Sequence, residues 1–94
     1  MNLRIVGVLA LLGLASTATA SDPPDLRSAV FAVTCYDVGK QALSGLPGVR
    51  DVSTGWRDGQ EVNVVRYDPT TIGLLDMEKA LRRAQIYVGT LGSE

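Results

Sequence analysis

The sequence predicts an α+β domain of two layers, a four-stranded antiparallel sheet carrying two helices on one face, in the order βαββαβ. Three observations carry this expectation. The hydrophobic period changes four times along the chain, so that strand-like and helix-like stretches follow one another. An Asp58-Gly59 pair between two β-branched runs marks a tight hairpin. Behind an N-terminal leader of 20 residues about 74 remain, enough for one thin core and no second domain.

Residues 27 to 34 are β-branched and apolar and form the first strand. From Tyr36 to Leu46 the spacing of Val38, Ala42, Leu43 and Leu46 is helical, with Asp37 as the expected N-cap and Pro47-Gly48 as the stop. Val49 to Trp56 alternates, placing Val52, Thr54 and Trp56 on one face. Glu61 to Tyr67 returns as the paired strand, where Val64-Val65 breaks the alternation and predicts a bulge or burial on both faces. After Asp68-Pro69 the stripe Leu74, Met77, Leu81 and Ala84 predicts a second helix. Its acidic start at Asp76 and Glu78 and basic end at Arg82 and Arg83 suit the helix dipole. Ile86 to Leu91 closes as a short strand, completing the split ferredoxin-like arrangement.

Residues 1–20 have the form of an export signal: Arg4, an apolar core from Ile5 to Ala15, and the small-x-small site Ala18-Thr19-Ala20. The apolar span is too short for a membrane helix. Cleavage near Ala20/Ser21 predicts a periplasmic or secreted protein, not inserted in the membrane, with residues 21–26 as a flexible lead-in and 27–94 as the domain. Loss of Arg4 leaves eight basic against ten acidic residues, a formal charge of −2, which gives no footing for nucleic acid. The chain has no histidine, so the commonest general base and metal ligand are both missing.

Cys35 is the single cysteine and stands where the first strand gives way to the first helix. A lone thiol in an oxidising compartment has no internal disulfide partner. It is either a small core hydrophobe or chemistry awaiting a partner. Just before a helix it meets unpaired N–H groups that favour a thiolate, while Asp37 opposes a second negative charge.

The run Ala42-Leu43-x-x-Leu46-Pro47-Gly48-Val49-x-x-Val52, then Val65-x-Tyr67-Asp68-Pro69 and Met77-x-x-Ala80-Leu81-x-x-Ala84, resembles the heavy-metal-associated domain. Its size and export signal resemble the periplasmic mercuric-ion-binding members. Ala84-Gln85-Ile86-Tyr87-Val88 is close to the Ala-Gly-Tyr-x-Val ending of that family. The resemblance implies binding or transfer of a soft metal ion, Cu(I) or Hg(II), through a Cys-x-x-Cys pair in the first strand-to-helix loop. This chain has one such cysteine. Counting back from Pro47, Cys35 falls on the second family cysteine and Ala32 on the first; counting forward from the strand, Cys35 is the first and Val38 the second. Cys35 is then the metal ligand, and a second ligand has to come from a twin subunit in a homodimer or from a partner protein.

A second resemblance competes. Ala29-x-Phe31-Ala32-x-x-Cys35, Leu46-Pro47-Gly48-Val49, Thr54-Gly55-Trp56, and Glu61 seven residues before Asp68-Pro69 are similar to the catalytic half of A-type methionine sulfoxide reductases. It implies Cys35 as the attacking sulfur and Glu61 as the acid. Tyr36-Asp37 replaces the family's aromatic pair, its C-terminal acid and tyrosine have no counterpart, and no resolving cysteine is present. A thiol-independent interaction module using the sheet face or Trp56 is a third alternative. Otherwise Trp56 is expected in core or sheet-edge packing, Glu61 as a solvated strand residue, and Met77 in the core.

Overall fold

The computed structural model describes residues 25–94, so the expected export signal lies outside the described residues. Six elements follow in order: β1 (Arg27–Val33), α1 (Tyr36–Ser44), β2 (Val49–Arg57), β3 (Gln60–Tyr67), α2 (Leu74–Arg83) and β4 (Tyr87–Ser93). The strands form one sheet ordered β2-β3-β1-β4, with every neighbour antiparallel. This is the predicted ferredoxin-like topology.

β1 is a central strand, and its apolar run is buried from Ala29 to Val33. Successive side chains point to opposite faces, so Ala29, Phe31 and Val33 join the core with the helices. Val30 and Ala32 take the other face. The β2–β3 hairpin closes at Asp58 and Gly59, whose φ values of 49° and 78° are those of a type I′ turn, with Arg57 opposite Gln60. Of the two expectations for Val64-Val65 the bulge is absent and burial on both faces is found: Val64 pairs with Val30 and Ser53, and Val65 with Ala29 and Val52, in unbroken register. Val65 is fully buried in the core and Val64 is half-buried on the opposite face, so both valines are satisfied without a bulge. The irregularities lie between Val49 and Asp51 in β2 and at two places along the β1–β4 pair.

α2 buries Met77 and Leu81 completely, as the stripe predicts, with Leu74 and Ala84 packed at the margin. Each such side chain contributes about 2 kcal/mol by leaving water. Its first turn is tied by Asp76, whose carboxylate accepts the Gly73 N–H at 3.2 Å. Its last turn places Arg82 over the Tyr87 ring, 4.7 Å from the centroid. α1 buries Gly39 and Leu43, whereas Val38, expected on its apolar face, is exposed. Among the described residues no helix is long and apolar enough to cross a membrane.

Candidate metal centre

β1 ends at Val33, and Cys35, not Asp37, is the N-cap of α1. Its backbone is extended (φ −147°, ψ 107°), as an N-cap requires, and its carbonyl accepts the first helical bond, from Gly39 N–H at 3.0 Å. Asp37 falls in the first turn instead. The Cys35 thiol makes no capping hydrogen bond; it is half-buried, packed against the edge of the core.

The capping that Cys35 does not provide comes from β3, about 25 residues away. Glu61 Oε1 accepts the Tyr36 N–H at 2.9 Å, satisfying the first of the helix's orphan donors. Asn63 Nδ2 donates to the Tyr36 carbonyl at 3.0 Å, and Gln60 Nε2 donates to the Val33 carbonyl at 2.8 Å. The strand-to-helix junction is thus held on both sides of Cys35. Glu61, expected to be solvated, is half-buried and structural in this role.

Asn63 is completely buried and its Oδ1 has no partner. An unpaired buried acceptor costs about 1–3 kcal/mol, while the bond it makes returns about 1. Asn63 is therefore poor as a source of stability, and what it supplies is position. It lies so close beneath α1 that a Cβ on Gly39 would overlap its Oδ1, which makes glycine the residue that lets helix and strand approach.

Trp56 stands opposite Glu61 in the β2–β3 register. It is 61% exposed on the edge strand β2, so of the expected core or sheet-edge packing the core alternative is not found. Its one aromatic neighbour is Tyr36, edge to face at 5.9 Å between centroids. Arg57, its chain neighbour, lines a depression with Val30 and Val64 on the opposite face of the sheet and so turns away from this cluster.

The structure thus brings Cys35, Tyr36, Trp56 and Glu61 to one end of the sheet. Among the described residues no group of three or more His, Cys, Asp or Glu side chains is placed to hold a metal ion. The donor set at Cys35 is one soft sulfur, one short of the two that the resemblance implies. Of the two positions for a missing cysteine, Ala32 is inside β1, 2% exposed and paired with Val62 and Gly89 on the face away from the core. Val38 is the third residue of α1 and 39% exposed. N-cap and third-residue side chains reach each other across a helix start, so only position 38 can share an ion with Cys35.

Asn63 joins this site unannounced by any motif. Its signal was a single amide inside the β-branched run Val62-Asn63-Val64-Val65, a place where a polar side chain needs a specific partner.

No family model and no curated protein matches the sequence. Two solved structures are similar. One is a copper binding domain from a P-type ATPase, with 22% identity and a TM-score of 0.60, covering 72% of this chain and 97% of that one. The other is the apo form of the HMA domain of a copper chaperone for superoxide dismutase, with 24% identity and a TM-score of 0.56, covering 88% of this chain and 86% of that one. The βαββαβ chain therefore has the fold of the heavy-metal-associated domains, with one cysteine at the junction of β1 and α1.

Proposed function

We propose that this is an exported domain that binds and passes on a soft metal ion, with Cu(I) the first candidate and Hg(II) the second, through the Cys35 thiolate. The observation that carries the proposal is the position of Cys35. A partly exposed thiol with no capping bond of its own stands at the N-terminus of α1, in a fold shared with domains described as copper binding and copper chaperoning. Thiolate is the ligand type that selects Cu(I) and other soft ions over Mg(II) or Ca(II). One sulfur leaves a coordination position open, and that position is where a second molecule's donor enters and takes the ion over. The ion is cargo in this scheme, and a weak single-donor hold favours handover.

The test is a titration of the mature protein with Cu(I), and separately with Hg(II), under reducing anaerobic conditions, read by native mass spectrometry beside Cys35→Ser. The expected result is metal retained by the wild type and lost from the variant. Equal retention by both proteins would remove Cys35 as the ligand.

A further inference from the structure

We propose that Glu61 is a positioning and charge-selecting residue for Cys35, making the thiol accessible to cationic reaction partners and unfavourable to anionic ones. The geometry begins with the hydrogen bond from Tyr36 N–H to Glu61 Oε1 at 2.9 Å. Tyr36 N is four bonds from the Cys35 sulfur, so every rotamer of the thiol stays within about 8 Å of the carboxylate. That is no more than one Debye length at physiological ionic strength, and the charge is felt there. Among the described residues no cation forms a salt bridge with it. The salt bridge found among the described residues joins Arg66 and Asp51, and Arg57 lies on the opposite face of the sheet. Asp37, exposed in the first turn of α1, adds a second negative charge, and Lys40, one turn on, is exposed to solvent. Asn63 holds the same residue from its other end, donating to the Tyr36 carbonyl in the next peptide group, with its unpartnered Oδ1 buried against the first turn. β3 therefore both holds the residue after Cys35 and sets the sign of the field at the sulfur.

This deepens the soft-cation proposal by naming why the site admits cations and turns away anionic thiols and oxidants. The experiment contains no metal, so its outcome is separate from that of the metal titration. The mature protein is reacted with a cationic and an anionic methanethiosulfonate of equal size. In each reaction the Cys35 thiolate attacks the sulfenyl sulfur, a disulfide forms, and methanesulfinate leaves with the electron pair. The ratio of the two rates is then compared across variants. Glu61→Gln keeps a carbonyl oxygen to accept the Tyr36 N–H and removes only the charge. Its cationic-to-anionic ratio is expected to fall by about fivefold at 10 mM ionic strength, with the difference from wild type fading in 1 M salt. Glu61→Ala removes bond and charge together, and is expected to lose the ratio and also to change both absolute rates, which Glu61→Gln restores in part. A ratio unchanged in Glu61→Gln would overturn the proposal, as would a ratio that Asp37→Asn abolishes by itself.

Discussion

Cys35 and Val38 occupy the N-cap and the third position of α1, the pair of side chains that meet across a helix start. Val38 is exposed, so a change there disturbs no core contact. Val38→Cys is therefore expected to fold as the wild type does and to bring a second thiolate to the same ion. A second donor on the same molecule acts at high effective concentration, so Cu(I) affinity should rise by about 10² to 10⁴. A competition titration against a chromophoric Cu(I) chelator measures this; an affinity unchanged from wild type would mean that position 38 does not face the thiol. The place of Cys35 was legible in the sequence because strand and helix periods change over at that residue. The cap was not. Asp37 has the right side chain for an N-cap, but the backbone enters the helix two residues earlier because Glu61 takes the Tyr36 N–H. That bond spans 25 residues and leaves no local signal.

At the level of elements, the two helices, the hairpin and all four strands follow from period and turn chemistry, with ends displaced by one or two residues. The details of strand pairing do not. Two irregularities interrupt the pairing of β1 with β4 (Tyr87–Ser93), and no alternation pattern encodes them. Between β3 and α2 the connection is built on Asp68. Its carboxylate accepts the Thr70 hydroxyl at 2.6 Å, the Thr70 N–H at 2.9 Å and the Thr71 hydroxyl at 3.1 Å. The Thr70 hydroxyl and then the Thr70 N–H hold the Asp68 carboxyl below its ordinary pKa against the opposing effect of desolvation, with smaller help from Thr71 and Arg50. A carboxyl whose folded pKa is depressed stabilises the fold fully above its unfolded pKa and loses that contribution as pH falls through the folded value. Asp68→Ala should accordingly lower Tm at pH 7, and the gap from wild type should narrow as pH drops below about 3.9. Thermal melts followed by circular dichroism between pH 7 and pH 2 check this; a gap independent of pH would show that the carboxylate form is not what the turn uses.

At the scale of the whole molecule, the described residues form one core, between the helices and the face of the sheet that carries Phe31, Val33, Val65 and Tyr67, and the site lies at its margin. That placement decides what a single-thiol protein can do with an ion. The surface around Cys35 offers Val38 and Trp56 as its large exposed apolar side chains. A stable dimer buries roughly 1,200–2,000 Å², far more than two side chains per copy supply. This surface should therefore not dimerise without metal, and association through it should depend on the ion bridging two thiolates. Sedimentation velocity under reducing, anaerobic conditions is expected to show a monomer without metal, a dimer at half an equivalent of Cu(I) or Hg(II), and a return to monomer on adding a chelator. Cys35→Ser should stay monomeric throughout. Val38→Cys should bind one ion per chain and also stay monomeric, because its second thiolate fills the position a twin subunit would otherwise occupy. A tight monomeric 1:1 complex in the wild type would mean that a second donor exists within the chain. Metal-induced dimers in Cys35→Ser would place the bridging ligands elsewhere on the surface.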